Sequence, residues 1–198
     1  MNSNKYLITQ SLLSSWLYVY KSEDGYENFI KALNKEPIQP SAAMLDGNRF
    51  ENLVSAVNKG VTLDPAHEWY AGVTETAKIL KGSAEQVKLS TEIIIDDITL
   101  VLYGVLDNLK AGVIYDTKMS KSYHFGKYYD SPQHSMYFRL CPEAYQFTYV
   151  IFNGKDVFTE TYYPFDTTPI EEYIKYFINF LDRMNLINIF KEKWISKY

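Results

Sequence analysis

The sequence predicts one mixed α+β domain, a central mostly antiparallel or mixed sheet of about five strands flanked by helices. Three observations predict it. The chain has 198 residues, 46% hydrophobic and 22% charged, which suits one buried core and is far from the composition of disordered chains. Apolar residues recur at helical spacing through the first eighty or so positions and then at period two from Val87. No repeat, low-complexity tract or Gly/Ser linker divides the chain, so residues 1–198 read as a single domain.

In ITQSLLSSWLYVY, Leu12, Trp16 and Val19 share a helical face behind a Ser or Thr cap, so a short helix is expected from near Gln10. A second is expected over Asp24–Leu33. Pro37 and Pro40 interrupt the chain before a third, Ala42–Asn58, whose Phe50, Leu53, Val54 and Val57 form a stripe with Glu51 at its edge. A fourth is expected over Pro65–Leu80, ending at Gly82. Val87–Ile95 and Ile98–Asp107 alternate as strands about an Asp96-Asp97 turn, and Val113–Met119 follows a turn at Asn108–Gly112, giving an antiparallel meander. After a polar, aromatic loop (Ser120–Asp130), Pro132–Leu140 reads as a helix. Ala144–Phe152 and Val157–Tyr163 pair across Asn153-Gly154, and Pro169–Asn185 closes as a long helix with Glu171-Glu172 in its first turn.

Composition excludes several chemistries. Cys141 is the single cysteine, so an internal disulfide, a cysteine-rich zinc site and a four-cysteine iron–sulfur cluster are ruled out. His67, His124 and His134 lack metal-ligand spacing. There is no Gly-rich phosphate loop, and Ser14-Ser15 lacks the strand-turn-helix setting of a hydrolase nucleophile. Met1–Lys5 has no basic region leading into an apolar one, and no stretch approaches the roughly 20 apolar residues of a membrane span, so a cytoplasmic protein with no membrane attachment is expected. The net charge of −4 argues against a protein that coats nucleic acid. It is compatible with an enzyme acting on nucleic acid through a carboxylate metal site, which is negative until a cation binds.

The informative stretch is YGVLDNLKAGVIYDTKMS, Tyr103–Ser120. Asp116 and Lys118 lie two apart on a strand and share a face, with Thr117 on the other. The hairpin brings Asp107, at the end of the preceding strand, alongside; the sequence fixes proximity but no distance. Two carboxylates and a lysine thus converge among Val105, Leu106, Val113, Ile114 and Met119, which is costly without a compensating ligand. A hard divalent cation, magnesium or manganese, is such a ligand, and Lys118 beside it can stabilise charge developing on a phosphate or orient a water. Plainer readings stand beside this one: Glu51 as a solvated helix residue, Asp107 as a turn former, Asp116 and Lys118 as an exposed pair, Gln133 and Tyr137 as ordinary helix residues. The segment Lys118–Lys127, with Lys121, Tyr123, His124 and Phe125, reads either as a stacking and phosphate-steering surface for single-stranded ends or as a solvated loop.

Four elements in order carry a resemblance: Glu51 in GNRFENLV, Asp107 in GVLD, Asp116-Thr117-Lys118 in IYDTKMS, and Gln133 with Tyr137 on the next helix. Together they resemble the PD-(D/E)XK nuclease superfamily, in the branch that includes RecB-type nuclease domains and lambda exonuclease. The resemblance spans about Leu45 to Tyr163 and extends to the ITQSLLSSWL helix. It departs in lacking a Pro before Asp107 and any cluster cysteines. The resemblance implies a restriction-endonuclease-like core, with Asp107 and Asp116 as metal ligands joined by the Thr117 carbonyl, and Glu51 binding a second ion directly or through water. It further implies that Lys118 positions or activates the water and that Gln133 and Tyr137 contact the strand or brace the site. The implied activity is that of a magnesium- or manganese-dependent DNA nuclease, an exonuclease of phage or prophage type acting in recombination or repair. The alternative is an inactive or partner-dependent nucleic-acid-binding module of the same fold. DNA is the expected partner, with a homo-oligomer or a single-strand-annealing protein as further candidates and RNA as another substrate.

Overall fold

The computed structural model describes residues 4–197, so Met1–Ser3, part of the segment read for targeting signals, lies outside the described residues. A short strand, β1 (Tyr6–Thr9), runs directly into helix α1 (Gln10–Leu17), where Thr9 Oγ1 caps the helix by accepting from the Leu12 amide at 3.3 Å. The next helices are α2 (Gly25–Leu33) and α3 (Ala42–Asn58), the latter capped by Ser41 Oγ on the Met44 amide. Helix α4 (Tyr70–Leu80) starts later than the expected Pro65. The reason is local: Asp64 Oδ1 accepts from the Ala66 amide and His67 Nδ1 from the Trp69 amide, so side chains hold this segment in turns.

Strands β2 (Ala84–Ile95) and β3 (Ile98–Lys110) form a long hairpin about Asp96 and Asp97, both left-handed with φ of 45° and 66°. Strand β4 (Val113–Met119) returns antiparallel to β3, and β5 (Gln146–Phe152) then lies parallel to β4 because helix α5 (Pro132–Leu140) crosses between them. Strand β6 (Val157–Tyr162) pairs antiparallel with β5. The sheet is therefore mixed and has six strands, ordered β1-β3-β4-β5-β6 with β2 along the other edge of β3. The added strand is β1. The closing helix ends sooner than expected, α6 covering Ile170–Arg183, and a further unexpected helix, α7 (Ile187–Lys193), follows after Asn185 turns the chain at φ 58°.

Helices cover both faces. Apolar residues of α1, α2, α5, α6 and α7, such as Leu12, Phe29, Met136, Phe177 and Phe190, pack with Leu102, Phe147 and Ile151 in the larger core. Phe50 and Val54 of α3 and Val73 and Leu80 of α4 pack with Val150 and Phe152 in the smaller one. The ends of the described chain close on each other: the Leu7 amide donates to the Trp194 carbonyl at 2.7 Å, the Ser196 amide to the Lys5 carbonyl at 2.8 Å, and Trp194 Nε1 to the Leu33 carbonyl. Among the described residues, no helix is long and apolar enough to cross a membrane.

One edge of β3 is divided. β1 pairs in parallel with Leu100–Tyr103, and β4 pairs with Asn108–Lys110 before diverging to run beside β5 alone. Between them the sheet forks. Helix α5 packs against the fork, and Gly104 permits its close approach: a Cβ there would stand 2.8 Å from Tyr137 Cε1 and from Leu140 Cδ1. The Tyr137 hydroxyl donates to the Val105 carbonyl at 2.9 Å, so α5 supplies a hydrogen bond where neither strand does.

Candidate active site

The fork is where the expected acidic residues meet. The β3–β4 ladder ends at Asn108 opposite Tyr115, and the same register carried one pair further sets Asp107 against Asp116. Asp116 is buried, 1% exposed, in the sheet. Burial, reinforced by the facing Asp116 carboxylate, pushes the Asp107 carboxyl up to about 8. Glu51, on α3, reaches the same field: burial raises its carboxyl, with Lys118 opposing and Asp116 adding to the rise. Burial disfavours the Lys118 ammonium, but the charges of Asp116, Asp107 and Glu51 outweigh it and hold the lysine above its ordinary value. The fork thus brings Glu51, Asp107, Asp116 and Lys118 into one electrostatic unit.

Asp116 is held from two sides. Gln133 Nε2 donates to Oδ1, while Lys118 Nζ lies 2.6 Å from Oδ2. That contact is an ion pair, so Oδ2 is a buried carboxylate oxygen whose charge is met by the ammonium of Lys118. Among the described residues, no three acidic, histidine or cysteine side chains close around one point, since the Asp116 carboxylate is drawn toward Gln133 and Lys118, and Asp107 toward Gln86. The donor set nevertheless fits a hard cation. A buried carboxylate and a second carboxyl raised by its neighbour are both relieved by a divalent ion between them.

The groups expected to touch a substrate are placed differently from one another. Gln133 and Tyr137 are both buried and act as braces in this structure, Gln133 on Asp116 and Tyr137 on the β3 backbone. Lys121 is exposed and pairs with Asp46 at 3.5 Å, linking the loop after β4 to α3. In that loop Lys127 Nζ donates to Ser120 Oγ and Ser122 Oγ at 2.6 and 3.1 Å, and Phe125 is 86% exposed. Thr117 presents its position to the α3 side, consistent with strand alternation. His134 is structural: it stacks on Tyr162 at 4.4 Å, and burial pushes it down to about 4.

Two clefts open on the fork. One, of about 450 Å³, lies between α3 and the β2–β3 hairpin and is lined by Glu51, Asp107, Thr117 and Gln86 among others. The second, of about 230 Å³, lies between α1 and α5 and is lined by Gln10, Ser14, Lys21, Lys118, Lys127 and Gln133.

Four contributors escaped the sequence reading. Gln86 has φ 53° inside a strand and donates to Asp107 Oδ1 at 3.4 Å; no residue pattern announces a left-handed glutamine. Glu160 is 2% exposed and accepts from the hydroxyls of Tyr123 and Tyr162 and from the Gly126 amide, anchoring the loop after β4. Its signal was present: an acid at an inward position of the alternating strand VFTETY. Gln10 and Ser14 enter because β1 delivers α1 to the fork, and β1 itself was not anticipated.

No protein-family model matches the chain, and no curated protein matches it. A solved structure, SSO0001, aligns over 93% of this chain and 78% of its own with 13% sequence identity and a TM-score of 0.49, a likeness that carries no inference about chemistry.

Proposed function

We propose that this protein is a divalent-metal-dependent nuclease of the PD-(D/E)XK type, hydrolysing phosphodiester bonds in DNA. The observation that supports this most is the convergence at the fork of Asp107, Asp116 and Lys118, a half-buried and a buried acid with a lysine two residues beyond the second, opening onto two clefts. Such a site is expensive as structure and useful as chemistry.

Asp107 and Asp116 would hold a magnesium or manganese ion, with the Thr117 carbonyl and Glu51 as the further oxygen donors. Bound there, the ion supplies Lewis-acid stabilisation of charge on the phosphate oxygens. The neighbouring carboxylates favour the ammonium form of Lys118, which can donate to the attacking water or a phosphate oxygen. Gln133 keeps Asp116 in one rotamer, and Tyr137 keeps α5 seated on the fork. In the reaction the water oxygen would form a bond to phosphorus as the bond to the 3′ oxygen breaks, the water giving up a proton to solvent and the departing 3′ oxygen taking one up. The exonuclease assignment, with a place in recombination or repair, rests on the resemblance to end-processing members of that branch.

The test is degradation of an end-labelled linear duplex with magnesium, manganese or EDTA, with Asp107→Ala run in parallel. Metal-dependent loss of substrate that the substitution abolishes is the expected result, and a ladder shortening from the ends would fit exonuclease action. A folded protein that cleaves neither DNA nor RNA in either metal would overturn the reading.

A further inference from the structure

The larger cleft has a lining the proposed chemistry does not use. Asn48, Asn52, Ser55 and Asn58 lie on the Glu51 face of α3, and Gln86 and Asn108 face them from the β2–β3 hairpin. Five carboxamides therefore converge on one cleft whose floor is the acidic fork. Asn108 donates to Ser83 Oγ and Gln86 to Asp107, but among the described residues no hydrogen bond engages the amides of Asn48, Asn52 or Asn58. Asparagine is one of the poorer helix formers, so three along one face of a single helix oppose the formation of that helix. The helix is held by its other face, where Phe50 and Val54 with Leu53 and Val57 pack into the smaller core, so the asparagines contribute nothing to that packing.

The charge of this wall also selects its ligand. Its one cation, Lys59, lies 2.9 Å from Glu85 Oε2 and also donates to Ser55 Oγ, which in turn donates to Glu85. Apart from the acids at the fork, the wall is then neutral, and it has no free positive charge to grip a phosphate. The cations gather in the other cleft, where Lys21, Lys118 and Lys127 line the wall formed by α1, α5 and the loop after β4. A neutral surface of carboxamides, each both donor and acceptor, matches the edges of nucleobases and the sugars next to them.

We propose that the amide-lined face of α3 is a nucleobase subsite, engaging base edges of the substrate strand beside the cleaved bond while the lysine-lined cleft carries its phosphates. This inference rests on the nuclease reading. It divides the work across the fork: contacts on the α3 side are neutral and independent of salt, and those on the α1–α5 side are ionic.

The test is fluorescence anisotropy of labelled oligonucleotides, single-stranded and duplex, DNA and RNA, with calcium as the oxygen-ligated cation, over a range of salt concentrations. The Asn48→Ala, Asn52→Ala double variant is expected to bind about tenfold more weakly than wild type, the loss of one good base contact, with an unchanged salt slope. It should melt no lower than wild type, because alanine favours the helix, so weakened binding could not be charged to unfolding. Lys127→Ala should instead lower the salt slope by about one. Binding by the double variant as tight as wild type, or weakened with a flattened slope, would overturn the subsite alone. A wild-type protein that binds none of the oligonucleotides would overturn the nuclease reading together with it.

Discussion

Gln133 donates its side-chain amide to Oδ1 of Asp116, joining the first turn of α5 to the acid at the centre of the fork, and both side chains are buried. Removing the amide leaves a buried carboxylate oxygen without a donor, a loss of about 1–3 kcal/mol. Gln133→Ala is therefore expected to lower stability by that amount in chemical denaturation. If the site is a nuclease, it should also cut turnover by about 10- to 100-fold, as loss of a group orienting a metal ligand does. Unchanged turnover would show that Asp116 needs no brace.

The raised carboxyl of Asp107 sets a pH dependence for the metal-free protein. Its folded value, about 8, lies above the ordinary 3.8, so folding takes up a proton between those limits. Stability in EDTA should therefore fall as pH rises from about 4 to about 8 and level off beyond. Asp107→Asn should flatten that decline and melt higher than wild type at pH 8, read by thermal denaturation. Added manganese should stabilise wild type more at pH 8 than at pH 6, because binding must displace the proton.

Gly104 is required by space, not by backbone conformation. Ala at this position would press on Tyr137 and Leu140 and force α5 outward. Gly104→Ala is expected to cost about 1–3 kcal/mol by overpacking, with a companion loss at the site because Gln133 rides on the same helix. Urea denaturation and cleavage measured together would check both.

Glu160 holds the loop after β4 through two donors, the Tyr123 hydroxyl and the Gly126 amide, and takes a third from Tyr162 on its own strand. Glu160→Ala should leave Tyr123, Tyr162 and the Gly126 amide unsatisfied and make the 120–130 loop the first point of proteolytic cutting. Glu160→Gln, which still accepts hydrogen bonds, should restore most of the protection. Equal protease resistance in wild type and the alanine variant would show that the loop is held by its ring stacking instead.

Gln86 is strained by its left-handed φ of 53°. Gln86→Gly is expected to raise the melting point, by relief of about 1 kcal/mol of backbone strain, even though glycine is otherwise unfavourable in strands. A lower melting point would mean that the bond to Asp107 outweighs the strain.

Periodicity made most of the fold legible because its signal is local. Ala42–Asn58 emerged with both boundaries intact, its stripe at helical spacing and its Ser cap both in the sequence. The β2–β3–β4 meander was legible from alternation and turn residues. β1 was not, because four residues flowing into a helix carry no alternation to detect, and its pairing with β3 is a contact across some ninety positions. The late start of α4 was hidden by the Asp64 and His67 side-chain bonds, which compete with a helical pattern without altering it. At the site, the proximity of Asp107 to Asp116 followed from the hairpin, but their register did not, since β3 runs on to Lys110 through the turn expected at Asn108 and leaves Asp107 inside the strand. The bracing role of Tyr137 did not, since it depends on the fork and on Gly104, which exist only once β1 and β4 divide the edge of β3.

The closure of Lys5 and Leu7 onto Trp194 and Ser196 has a temporal meaning. During synthesis, β1 and α1 emerge first, yet the carbonyl of Trp194 and the Ser196 amide that lock β1 in place emerge near the end of these residues. The β1–β3 ladder holds Gln10 and Ser14 near the fork once β3 has emerged, but the outer edge of β1 stays unpaired until the segment carrying Trp194 has left the ribosome. A nascent chain displaying both acids of the fork would still have the wall of its second cleft fastened on one side alone, and that wall is closed from the other only when the two ends of the fold have met.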